Sequence, residues 1–249
     1  MSALARKDLL EFARDRRLLV AAILMIALAL VSLALAWQQV RGYEHARVEA
    51  EEGDRRSWLA QGERNPHGAA HFANWAFRPL TAMAILDPGV GPYAPAAIWL
   101  EAHSQNIGVA RAVEDRTATL DLGEFSLGWV LQMLAPLLVL VVAAGLVARE
   151  RERGTLRLML VSGVSASGLV WAKAASLMRI ALLILAPLVV ATMAVVLLAP
   201  VAMTLDHWTR MLLWLAAHAV YLGVFLCVGV AISALVGGTE RALLLLIAF

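Results

Sequence analysis

Residues 18–37 read LLVAAILMIALALVSLALAW, an apolar run without a single charged side chain. A helix of about 20 apolar residues is long enough to cross the hydrocarbon core of a bilayer. The whole chain has the same character, since 61% of its 249 residues are hydrophobic and 16% are charged. Soluble domains average about 45–50% and about 25%, respectively. This composition excludes an ordinary soluble enzyme and a disordered chain, and it predicts an all-α integral membrane protein.

Three further apolar stretches are long enough to span a bilayer, namely residues 125–148, 174–199 and 211–236. A last apolar run, residues 242–249, is too short to cross before the sequence stops. We therefore expect a helical bundle of four full spans plus the start of a fifth span in a truncated chain.

Basic residues near the spans predict the orientation of the bundle. Five arginines and lysines lie in the leader, residues 1–17, and five more lie in the segment 149–173. Because basic residues concentrate on the cytoplasmic side, both segments are expected there. The N-terminus is then cytoplasmic, and residues 38–124, between the first two spans, form an extracytoplasmic lobe.

The leader and the lobe have distinct patterns. Residues 3–17 alternate apolar and charged positions as in an amphipathic helix that lies in the membrane interface, although a charged stop before the span would look the same. Residues 38–61 contain no proline and are predicted to continue the first span as a helix. The following residues, up to about 105, are rich in proline and aromatic side chains and predict a loop-rich fold, with Asp87-Pro88-Gly89 as a turn.

Three histidines in the lobe are weak candidates for a metal site. His67 and His71 are four residues apart, so a helix would place them on one face, and His103 follows later in the lobe. Imidazole is a good ligand for zinc and copper. The spacing is not diagnostic, however, and histidines that bond to the backbone or to each other inside the lobe are the preferred explanation of the pattern. The sequence alone therefore predicts no metal.

The lysine content excludes one way of using ATP. A Walker A loop needs a glycine directly before its lysine, so that backbone amides and the ammonium group surround the phosphates. The two lysines of the chain, Lys7 and Lys173, follow Arg6 and Ala172. The net charge of +2 is also too small to indicate a nucleic-acid partner.

The segment between the second and third spans carries the most information. Residues 148–173 read ARERERGTLRLMLVSGVSASGLVWAK. The charged residues 149–153 predict an extension of the second span, and Gly154-Thr155 predicts a break before a short apolar helix. Such a helix, held in the cytosol between two spans, is well placed to dock another protein. A plain basic loop that sets the topology is the alternative.

This segment resembles the first cytosolic loop of type-2 ATP-binding-cassette (ABC) permeases, in which acidic residues precede Gly-Thr-Leu and a lysine begins the next span. The matching residues are Glu150, Glu152, Gly154, Thr155, Leu156 and Lys173. The leader resembles the interfacial elbow helix of these permeases. The lobe sequences PHGAAH (66–71), LDPGV (86–90) and LEAHSQN (100–106) are similar to a branch with a large extracytoplasmic insertion between the first two spans.

The resemblance implies a permease subunit that pairs with a second copy or a related permease in the bacterial inner membrane. ATP would be bound by separate ATPase subunits, and this chain would bind no cofactor itself. The six matching residues of the loop would couple the ATPase to the spans, and export is the direction that the resemblance favours.

Two other classes of function remain open at the level of sequence. A membrane sensor or assembly factor would use the lobe to bind a partner or a metal, and its cytosolic loop would tolerate change. A membrane enzyme has less support, because the chain contains neither HExxH nor GxSxG.

Overall fold

The computed structural model describes residues 2–72, 74–110, 125–199, 201 and 203–248. The chain divides into two compact units. The first unit comprises Met1–Val31, Gly128–Met193 and Thr209–Phe249, and the second comprises Ser32–Leu127 and Ala194–Trp208. The predicted all-α membrane architecture is confirmed, because helices dominate the described chain and strand is scarce.

Helices provide nearly all of the first unit. Its helices in chain order are α1 (Ser2–Arg14), the start of α2 (Arg16–Leu59), the second-span helix, α6 (Ala148–Glu152), α7 (Thr155–Val161), α8 (Ala166–Leu197), α9 (Leu205–Leu235) and α10 (Thr239–Ala248). The second-span helix consists of α4 (Leu127–Trp129), a π-helical turn (Val130–Leu134) and α5 (Ala135–Ala144). Within the described residues, four helices are long and apolar enough to cross a membrane: Arg16–Leu59, Leu127–Glu152, Ala166–Leu197 and Leu205–Leu235.

The second unit combines the later part of α2 with a small mixed fold. The predicted helical continuation of the first span is present, since α2 extends to Leu59. After α3 (Pro66–Ala70), strands β1 (Asn74–Phe77) and β2 (Ala97–Leu100) pair antiparallel, with Trp75 opposite Trp99. The sequence predicted a loop-rich fold here and did not predict this pair of strands. The predicted turn is present: Gly89 has φ +51°, and its N–H donates to Asp87 Oδ1 at 2.8 Å.

The second-span helix contains a proline, Pro136, just after its π-helical turn. Proline has no N–H, so Pro136 cannot donate to the carbonyl of Gln132, one turn earlier in the helix. Tyr221 Oη on α9 donates to that carbonyl oxygen at 2.9 Å. A carbonyl in an apolar environment is costly without a donor, and a neighbouring side chain that supplies one makes the proline tolerable inside a span.

Ser233 forms hydrogen bonds to backbone groups at a second interruption of the second-span helix. The helix breaks at residues 145–147, between α5 and α6. Ser233 Oγ, fully buried on α9, accepts from Val147 N at 3.0 Å and Ala148 N at 3.2 Å and donates to Ala144 O at 3.0 Å. One hydroxyl therefore satisfies three backbone groups that the break leaves without helical partners.

The residues predicted to begin a fifth span are helical through Ala248 and belong to α10. Two of them, Ala242 and Leu246, are buried against Leu140, Ala144 and Ala148 of the second-span region. Because these contacts place α10 beside α5 and α6, the charged residues of α6 lie next to a packed helical core.

Gly229 is expected to be sensitive to substitution, because a Cβ atom there would stand 2.5 Å from Ala143 Cβ on α5. Gly223, on the same helix, has nothing within 4 Å of that position. Gly229→Ala and Gly223→Ala gain the same helix propensity, so their difference isolates the contact between α9 and α5. We expect Gly229→Ala to be less stable than Gly223→Ala by about 1–3 kcal/mol, the usual cost of overpacking. Thermal unfolding in detergent micelles measures the difference, and equal melting temperatures would contradict the close packing.

Candidate functional site

A group of four charged side chains, three of them buried and Lys7 partly exposed, joins three elements of the first unit. Lys173 on α8 donates from Nζ to Asp8 Oδ1 at 2.6 Å and to Glu150 Oε1 at 2.9 Å, and Lys7 Nζ approaches the same Glu150 oxygen at 2.5 Å. Lys173 is 1% exposed and Glu150 is 3% exposed. The two lysines balance the two carboxylates, so the group as a whole carries no net charge. We call these residues (Lys7, Asp8, Glu150 and Lys173) the charge cluster.

Thr155 links the charge cluster to the short helix α7. Its Oγ1 donates to the Glu150 carboxylate and lies 3.1 Å from the Glu150 carbonyl oxygen. Gly154, just before it, has φ +73°, a left-handed conformation that glycine adopts without the steric cost that a Cβ atom brings. The Gly-Thr pair therefore turns the chain between α6 and α7 and ties the first residue of α7 to Glu150, as the predicted break at Gly154-Thr155 requires.

Two other charged residues of α6, Arg151 and Glu152, cap the ends of neighbouring helices. Arg151 donates to the carbonyl oxygens of Val236 and Ala234, the latter at 2.7 Å, at the C-terminal end of α9. Glu152 accepts from Thr239 N at 2.7 Å and from Thr239 Oγ1 at 2.8 Å, at the start of α10. A cation at a helix C-terminus and an anion at a helix N-terminus both interact favourably with the helix dipole. Arg151 and Glu152 therefore connect α6 to the end of α9 and to the start of α10.

Glu152→Ala is expected to lower the melting temperature of the protein, because it removes the acceptor that caps α10. Glu152→Gln keeps one acceptor oxygen and is expected to lose less. The ordering of the two variants in a thermal melt checks the assignment, and an Ala variant as stable as the wild type would show that α10 needs no cap from α6.

The helix α7 presents apolar side chains to its surroundings. Leu158 is 67% exposed and Val161 is 81% exposed, and Leu160 is also exposed, whereas Leu156 is half-buried. Arg153, at the end of α6, holds the base of this helix near α1 through a 3.1 Å bond from Nη1 to Glu11 Oε1. An apolar, exposed surface on a short helix that is anchored at its base suits contact with another protein.

The structure brings together some of the predicted site residues and separates others. Glu150, Thr155 and Lys173 meet in and beside the charge cluster, while Glu152 lies against α10. The sequence reading missed Lys7 and Asp8 as their partners. The available signal was the presence of only two lysines in the chain, one of which, Lys7, stands next to Asp8 in the leader. In the second unit, His67, His71 and His103 also meet.

Comparison with protein families identifies the family to which the chain belongs. A sequence profile described as ABC-2 family transporter protein matches residues 2–249. The chain belongs to the ABC-2 transporter family. With its four apolar helices, it is a multi-pass membrane permease component of an ABC transporter. Comparisons with curated proteins and with solved structures give no match. The resemblance seen in the loop of Glu150 to Lys173 is thus confirmed at the level of the family.

Proposed function

We propose that this ABC-2 permease is the membrane-spanning subunit of an exporter and draws its energy from a separate ATPase subunit bound at α7. The observation that carries the proposal is the exposed apolar surface of Leu158, Leu160 and Val161 on a helix whose base is tied to the charge cluster. Family membership implies an ATPase partner. The two lysines also support an ATP-binding site on a separate subunit, because neither of them follows a glycine as the lysine of a Walker A loop does.

The charge cluster offers a path for force from α7 into the membrane. Thr155 at the start of α7 bonds to Glu150, and Glu150 bonds to Lys173 near the start of α8 and to Lys7 on α1. A displacement of α7 by the ATPase would move α8 and α1 with it. The ATPase must hold α7 differently in its ATP-bound and empty states, because only a differential contact shifts a conformational equilibrium.

The contacts of the six matching residues support a distinct task for each part of the set. Glu150 and Lys173 are buried and already paired, so we propose that they transmit motion within the chain, while Gly154 and Thr155 shape the turn into α7. Leu156 is half-buried at the root of α7 and supports the exposed surface. Glu152 keeps α10 attached to the same segment.

The remaining parts of the proposal follow from the family resemblance and the distribution of basic residues. They comprise a dimer of permeases, an inner-membrane location with a cytoplasmic N-terminus, an extracytoplasmic lobe and an export direction. The resemblance is the support for the export direction.

Co-expression with the ATPase encoded by a neighbouring gene tests the proposal. We expect the two proteins to purify together and to move candidate compounds in vesicles only when ATP is present on the ATPase side. An ATPase with an intact Walker lysine and one with that lysine replaced form the matched pair. Failure of the ATPase to associate with this chain would contradict the proposal, as would transport that persists with the inactive ATPase.

A further inference from the structure

Three histidines of the second unit, two from α3 and its C-terminal cap and one from the turn after β2, form one group. The ring centroids are 4.7 Å apart for His67 and His71, 5.3 Å for His71 and His103, and 6.1 Å for His67 and His103. Each residue offers one ring nitrogen to a set in which all such atoms lie within 4.8 Å of one another. All three side chains are exposed.

Short-range interactions hold two of these histidines on one helical turn. Asn65 caps α3 by accepting from Gly68 N at 2.6 Å, and Pro66 supplies the first helical residue. An asparagine cap and a proline at the first position both favour helix initiation. His67 then lies in the first turn of α3, and His71 follows at its C-terminal cap, so the spacing of four residues places both imidazoles side by side.

The third histidine arrives by long-range pairing that the sequence could not reveal. Ala102 N donates to Ala70 O at 3.3 Å and fixes the turn after β2 to the end of α3. His103 itself has φ +67°, and the bridge between Glu101 and Ser104 closes the turn around it. The left-handed region is unfavourable for a non-glycine residue, because its Cβ atom comes too close to the following carbonyl oxygen. The fold therefore holds His103 against α3 in a conformation that the local chain does not favour.

We propose that His67, His71 and His103 form a three-histidine site for a divalent transition-metal ion, with Zn²⁺ as its simplest occupant. Three nitrogens at about 2.0–2.1 Å from tetrahedral zinc stand roughly 3.4 Å from one another. The present separations between the ligand atoms are at most 4.8 Å, so they need to decrease by up to about 1.4 Å, which rotation of the exposed imidazoles provides. Three protein ligands leave the fourth tetrahedral position open to water or to a donor from another molecule.

Metal titration of the full chain tests the site. The protein is purified in detergent with a tag that contains no histidine, stripped with a chelator, and titrated with Zn²⁺ in competition with a chromogenic chelator. We expect one Zn²⁺ per chain. Loss of an outer-shell partner alone weakens metal binding by about 10–100-fold, so His71→Ala and His103→Ala should each weaken it by at least about 100-fold.

His207→Ala is the matched control, because it removes an imidazole that lies outside the group and pairs with Thr204. Cu²⁺ provides an independent readout, since its electron paramagnetic resonance spectrum should show several coordinated nitrogens in the wild type and fewer in His71→Ala. Wild-type protein that does not compete with the chelator would overturn the proposal. The proposal would also be overturned if Zn²⁺ binding survived in both His71→Ala and His103→Ala. An equal loss of Zn²⁺ binding in His207→Ala would overturn it as well. None of these outcomes depends on ATPase coupling.

Discussion

Lys173→Met is expected to lower the free energy of unfolding by about 3–5 kcal/mol, the usual cost of removing one partner from a buried ion pair. The ammonium group of Lys173 is the 2.6 Å partner of Asp8 and a 2.9 Å partner of Glu150. Without it, Asp8 keeps a buried carboxylate with no cation bonded to it among the described residues, and Glu150 keeps Lys7 and the Thr155 hydroxyl as its side-chain donors. The penalty therefore arises from the two carboxylates that stay behind rather than from the lost lysine side chain.

Thermal unfolding in detergent micelles measures this loss, with Arg157→Met as the control because Arg157 is exposed on α7. A triple variant, Asp8→Asn, Glu150→Gln and Lys173→Met, removes the stranded charges and is expected to recover much of the stability. Replacement of a whole buried charge group by neutral residues is often close to neutral in free energy. A Lys173→Met protein that melts with the control, or a triple variant less stable than Lys173→Met, would contradict the role of the charge cluster.

Leu158→Asp together with Val161→Asp is expected to abolish stimulation of the partner ATPase by the permease while leaving the permease folded. Burial of one such aliphatic side chain contributes about 1.5–3 kcal/mol, so loss of two corresponds to at least about a 100-fold weaker association. Charge reversal at Glu150 and Glu152 would be a less specific test, since those residues hold the permease itself together.

Controls for this pair come from side chains of equal exposure. Leu59, at the end of α2, is 67% exposed like Leu158, and Val90 is 81% exposed like Val161. The double variant Leu59→Asp and Val90→Asp should retain ATPase binding and stimulation. ATPase activity and co-purification are measured for both. Full coupling in the α7 variant, or an equal loss in the control, would show that the ATPase does not dock on α7.

Local patterns in the sequence were sufficient to predict the apolar membrane-spanning helices and the turn into α7. The apolar run 18–37 is so much longer than a buried strand or core helix that its assignment needs no knowledge of its neighbours. Gly154 likewise marked the break, because the left-handed conformation found there is one that glycine adopts at little cost. Both features depend on residues that are adjacent in the chain.

The partners across the fold could not be predicted in this way. Lys173 and Asp8 are separated by 165 positions, and nothing in either local pattern names the other. The sequence around Ser233 is that of an ordinary span, and it does not indicate that this hydroxyl bonds to the helix break at residues 145–147. His103 likewise meets His67 and His71 only because β2 brings its turn to the end of α3. Such contacts follow from tertiary packing, which a single sequence leaves undetermined.

Sidedness of α7 is the most direct test of the central claim, that this permease receives its energy through a helix in the cytosol. Cys227, the one cysteine of the chain, is first replaced by serine, and Val161→Cys or Val90→Cys is then introduced at two positions of equal exposure. A membrane-impermeant maleimide should label Val161→Cys only in inside-out vesicles and Val90→Cys only from the outer side of the membrane. Labelling of Val161→Cys from the outer side would place α7 beyond the reach of any cytosolic ATPase and contradict the account.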